Sequence, residues 1–196
     1  MSEAEEKPWT EEQWEAFMKQ QDLKAARLGE ILETVIDDPN RYEIIEEEMG
    51  WDLHDREPIE LPDLTPQEEE EIDEQMKEED EALERIPAYQ KSMEVATKVQ
   101  RLLKPLFKDD EDDVDEDISE ALSGAYIPAA KIAGGHGMGY DDDVLCANIV
   151  NNKIALAAAK QCQKALKSLR DRKMLSAKKV HEVLTHVEEA ASLIER

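Results

Sequence analysis

Between residues 87 and 195, apolar side chains return every three or four positions in four separate runs, the period an α-helix needs to keep one face out of water. Tyr89, Met93, Ala96, Val99, Leu103 and Leu106 mark a helix over about 87–107, with Pro105 tightening its end. Ile118, Ala121, Leu122, Ala125, Ala129 and Ile132 mark a second over about 115–133, with Gly124 and Pro128 as the elements of a bend. A third, about 142–171, carries Leu145, Ile149, Ile154, Leu156, the alanines at 157, 158 and 159, Ala165, Leu166 and Leu169. The fourth, about 176–195, repeats Val180, Val183, Leu184, Val187, Ala190, Ala191 and Ile194. Joining segments of roughly four to eight residues favour antiparallel neighbours, so residues 86–196 are expected to form an up-down-up-down four-helix bundle. No segment alternates with a period of two, and the expected fold class is all-α.

The alanines at 155 and 157–159 bear on packing. Small side chains let helix axes approach to about 8 Å, so the bundle should be tightest there.

The front of the chain reads differently. Residues 1–120 hold 41 acids against 13 bases, whereas residues 121–196 hold 8 against 11, so the net charge of −25 belongs to the first part. Residues 1–85 are expected to form an acidic, helix-containing arm. Its first helix, about 11–36, starts from Thr10 and Gln13 as a capping box and lines up Trp14, Met18, Gln21, Ala25, Leu28, Leu32 and Val35 at heptad spacing. A short helix of about 40–49 is closed by Gly50, and a strap at 51–65 carries Pro58 and Pro62. Thr65 and Pro66 then open an acidic helix over 66–85 whose few apolar residues leave it mostly exposed.

Such a charge distribution repels phosphate and anionic lipid, which argues against nucleic-acid and membrane partners. The chain holds no run of about 18 apolar residues, and its acidic first residues are the opposite of a secretory leader. Cys146 and Cys162, about 24 Å apart on one helix, are too distant to bridge, so they are expected to be reduced. A cytoplasmic location follows as the expectation.

Candidate chemistry is sparse. A di-metal bundle needs Glu-x-x-His on two helices, and the sequence has none; His186 with Glu182 and Glu189 shares a single helix face, and His181 points elsewhere. Counting from Asp109, acids fall at EF-hand positions 1, 3, 5, 7, 9 and 12, but position 6, which must be Gly, is Val114. The glycine-rich stretch 134–143 resembles a phosphate cradle only superficially, because it follows no strand and Asp141, Asp142 and Asp143 would repel an anion. Read as a loop, it presents His136, Met138 and Tyr140 as contact residues. Asn148, Asn151 and Asn152 follow, and if they face inward they need hydrogen-bond partners such as the backbone of that stretch.

Lys153, Lys160, Lys164 and Lys167 recur at helical spacing and form a stripe. It serves as a solvated face, as a dock for the acidic helix, or as a contact for an anionic partner. The expected function is that of a non-enzymatic intracellular interaction or scaffold bundle needing no cofactor. Its expected partner is a protein of basic charge, and the heptad face of residues 14–35 is a candidate seam for a homodimer. The alternative is a metal-binding or hydrolytic bundle with a site at 134–143 built from His136, Asp141, Asp142 and Asp143.

Overall fold

The computed structural model describes residues 7–51, 64–107 and 115–196. The strap expected at 51–65 and the acid run from Asp109 through Val114 fall mainly outside these residues. Within them the chain is all-helical: α1 (Glu11–Val35), α2 (Arg41–Met49), α3 (Pro66–Glu84), α4 (Pro87–Leu103), α5 (Glu116–Gly137), α6 (Leu145–Asp171) and α7 (Ala177–Ile194). A single 3₁₀ turn, Lys104–Leu106, follows α4. No described helix is long and apolar enough to cross a membrane.

The ends of these helices follow local rules. Thr65 makes a capping box with Glu68: its N–H and its hydroxyl both donate to the Glu68 carboxylate at 2.8 Å, and the Glu68 N–H returns a bond at 3.3 Å. Pro66 and Pro87 occupy first-turn positions, where a missing N–H costs nothing. Asp115 caps α5 by accepting the Asp117 N–H at 3.0 Å. Gly50 closes α2 in the left-handed region, at φ +64°.

The chain divides into two compact units, Glu12–Asp73 and Glu74–Arg196 with Met1–Glu11. In the first, Ile31 and Val35 of α1 are buried against Ile45 of α2, with Leu28, Leu32, Ile44 and Met49 around them. The last turns of the heptad face are thereby covered within the chain.

In the second unit, α4 packs against α5 and α7, and α6 packs against the same two helices. The shared core runs through Val95, Val99, Leu103, Cys162, Leu166, Leu169, Val180 and Val187. On α5 and α7 the residues that the apolar period selects are buried except Leu122 and Ala191, which are partly buried, and on α5 Gly124, Pro128 and Gly135 are buried beside them. On α4, Ala96, Val99 and Leu103 are buried as the period selects, but near its start Ser92 is buried and Met93 is 44% exposed. Ser92 tolerates burial because its hydroxyl donates to the Ala88 carbonyl at 2.7 Å.

The most extensive helix contact is between α5 and α6. It is made of small residues, Ala121, Ala125 and Ala129 on one side and Ala155, Ala158 and Ala159 on the other, all buried. Gly124 is a contact point here. A Cβ on it would lie 2.6 Å from the Ala158 carbonyl oxygen and 2.7 Å from the Cys162 nitrogen, so the two backbones meet at this residue.

Candidate functional site

The first four residues of the stretch expected as a loop at 134–143 are helix, and the remaining six form the turn between α5 and α6. α5 continues through Gly137, and Met138 ends it by donating its N–H to the Gly134 carbonyl at 3.2 Å. Glycine has low helix propensity, which hides such a segment from periodicity. Tertiary contact overrides that weakness: Gly135 is buried, and a Cβ there would come within 2.6 Å of the Asn148 side-chain oxygen. Gly139 turns the chain at φ +88°, a conformation that glycine adopts without a Cβ penalty. Asn148, 9% exposed, donates its amide to the Gly139 carbonyl and so holds the turn against α6.

A concavity of about 370 Å³ opens beside this turn. One wall comes from the last two turns of α3 with Glu79, Asp80 and Leu83, and the other from Ala133, His136 and the backbone of residues 137–139. His136 Nδ1 is 2.9 Å from the Tyr140 hydroxyl, and the two rings tilt at 59°, so Tyr140 braces the imidazole. Met138 also lines the hollow, with its sulfur 3.9 Å from the Asn151 amide.

Of the residues expected to form a contact surface, His136 and Met138 line this hollow, and Tyr140 does not line it but contacts His136. Lys153, Lys160, Lys164 and Lys167 do not line it; they stay on the exposed face of α6, where Lys153 pairs with Glu11 and Lys160 lies 4.0 Å from Glu195. The alternative ligand set of His136, Asp141, Asp142 and Asp143 does not assemble. Among the described residues no three His, Cys, Asp or Glu side chains converge on a metal position. The Asp141 backbone carbonyl instead receives the Val144 and Leu145 N–H groups at 3.0 and 2.9 Å, in a turn that leads into α6.

Two polar clusters were not foreseen. On α4 and α7, the Lys91 ammonium donates to Glu94 at 2.9 Å, to Glu189 at 2.5 Å and to His186 Nδ1 at 2.8 Å, which uses all three of its protons. Desolvation pulls the Lys91 pKa down, but the bonds to Glu189 and Glu94 outweigh it and leave the pKa raised. The bond from Lys91 holds both carboxyls below the usual range.

The second cluster joins the start of α5 to the end of α6. Arg172 reaches Asp115 at 3.1 Å and Asp117 at 2.7 Å, and the Ser168 hydroxyl donates to Asp117 at 2.6 Å. The Asp115 carboxyl is lowered chiefly by Arg172, and that of Asp117 by Ser168 and then Arg172. Cys162 is fully buried, and burial pushes its thiol up to about 12, which makes it inert.

The partners that face each other across helices in these clusters lie 51 to 95 residues apart in the sequence or further, so no local signal brings those pairs together. Compared with known protein families, curated proteins and solved structures, the chain matches none.

Proposed function

We propose that this protein is a non-catalytic intracellular scaffold in which an up-down-up-down four-helix bundle (residues 86–196) carries an acidic helical arm (residues 1–85) that meets a basic protein partner in the cytoplasm. The observation that supports this reading is α3. Its 19 residues include not one that is buried, and 11 of them are Asp or Glu against a single lysine. A helix gains most of its stability from a packed face, and like charges at i, i+4 weaken it further. Such a helix gains from a positive surface laid against it. Ile72 and Met76, one turn apart and 42% and 59% exposed, offer apolar anchors inside the acidic field.

Complementary charge of this kind accelerates association and makes it sensitive to salt. The test is affinity capture on the full chain, then reconstitution with the identified, purified partner. We expect a basic protein whose binding weakens at least tenfold both on raising salt from about 50 to 300 mM and on changing Glu69, Glu70, Asp73 and Glu74 to their amides. A partner that binds the amide variant as tightly as the wild type overturns the proposal.

A further inference from the structure

Resting on that reading, we propose that the hollow between α3 and the end of α5 is the partner's anchor site and receives one lysine or arginine side chain. Three independent features support a cation with an apolar stem.

The first is electrostatic. The hollow lies at the C-terminal turns of two helices, α3 and α5, where each macrodipole contributes partial negative charge. Glu79 and Asp80, which carry carboxylates, line the same hollow. An anion would meet four unfavourable terms there, and a cation four favourable ones.

The second is the lining. Leu83, Ala133 and Met138 supply apolar lining in the same hollow. Long basic side chains divide in the same way, with a methylene stem that prefers apolar surface and a head that prefers charge or water. At about 370 Å³ the hollow falls in the lower range of small-ligand sites.

The third is Gly137. Two glycines of this stretch have structural reasons: Gly135 makes room for Asn148, and Gly139 takes a positive φ. Gly137 has neither, since it lies in helical conformation and a Cβ on it would touch nothing within 4 Å. Glycine is the poorest helix former after proline, so the fold alone favours another residue there. Gly137 lines the hollow with bare backbone, and a longer side chain there would have open space to occupy. The braced His136 ring bounds the same space.

The experiment is an NMR titration of the ¹⁵N-labelled full chain with N-acetyl-arginine amide and N-acetyl-lysine amide, with the neutral isostere N-acetyl-citrulline amide as control. Saturable shifts at residues 79, 80 and 136–139 with the two cations and none with citrulline are expected. Gly137→Leu should not lower the melting temperature and should weaken cation binding at least tenfold, and the pair Glu79→Gln with Asp80→Asn should weaken it likewise without occupying the hollow. Equal response to citrulline, or undiminished cation binding in both variants, overturns the site. Spermine binding at the same residues as tightly as a basic peptide of equal charge overturns the assignment to a polypeptide side chain. The α3 amide variant separates the two proposals: a partner that needs the α3 acids but binds Gly137→Leu normally sinks the anchor site and leaves the scaffold reading standing.

Discussion

The ammonium of Lys91 on α4 sits 2.8 Å from Nδ1 of His186 on α7, 95 residues later in the chain. An ammonium can only donate, so Nδ1 accepts and the imidazole proton belongs on Nε2. Both residues are largely shielded, with 17% and 23% of their side chains exposed, and Glu94 and Glu189 complete the ring of acceptors.

The tautomer is therefore the first prediction. Long-range ¹H–¹⁵N correlation at neutral pH should find His186 as the Nε2–H form. Lys91→Met leaves Glu189 and the imidazole without this ammonium and Glu94 with only Lys98, 3.6 Å away, so its melting temperature should fall below that of the wild type. Glu94→Gln in the Lys91→Met background should restore part of the loss, a non-additivity that a double-mutant cycle measures. Strict additivity would show that the cluster is not coupled.

Glycines of the same helix should respond in opposite directions. Gly124→Ala forces a Cβ to 2.6 Å from the Ala158 carbonyl oxygen and 2.9 Å from Cys162 Cβ, and backbone cannot step aside cheaply. Overpacking of this kind costs about 1–3 kcal/mol, read by denaturant unfolding. Gly134→Ala meets nothing within 4 Å and should stabilise by up to about 1 kcal/mol through helix propensity. Ala158→Leu, on the buried face opposite Gly124, should lose about 1–3 kcal/mol.

Acid stability should depend on Arg172. Asp115 and Asp117 titrate below the ordinary aspartate value in the folded protein, so the unfolded chain binds protons first as pH falls. The stabilisation is then fully present above the unfolded aspartate pKa of about 3.9 and is lost as pH drops through the lower folded values. Arg172→Gln should separate the wild-type and variant unfolding midpoints at pH 6, with the variant less stable, and the gap should close as pH falls through the lowered folded values of Asp115 and Asp117. A gap that stays constant across this range would remove the two carboxylates from the explanation.

Thiol reactivity should distinguish the two cysteines. Cys146 is partly exposed, whereas Cys162 is buried with its thiol pushed up to about 12. A thiol-specific reagent at pH 8 should modify one site per chain in the native state and a second only after unfolding. Rapid labelling of Cys162 in the folded protein would contradict the close α5–α6 contact, because its backbone lies under Gly124.

Helical identity was readable because it is a local property. Val180, Val183, Leu184 and Val187 announce a buried face without reference to any other part of the chain. The same reading failed where side-chain character and burial part company. Met93 fits the apolar period but is exposed, and Ser92 breaks it but is buried, because a bond to the Ala88 carbonyl satisfies its hydroxyl. At residues 134–137, glycine's poor propensity suggested a loop, and contact with α6 decided for helix. Asn148 was a candidate to bond the glycine turn from the sequence, and its amide does so at Gly139.

By itself the sequence determined the helices, their approximate ends and the separation of an acidic front from a slightly basic back, since periodicity, capping and charge are set by near neighbours. Tertiary structure alone decided that Gly124 joins two backbones, that Lys91 is encircled by Glu94, His186 and Glu189, and that Glu79 and Asp80 share a hollow with His136. These pairings depend on how distant helices pack, and packing is fixed by the fit of whole faces rather than by any short stretch of residues.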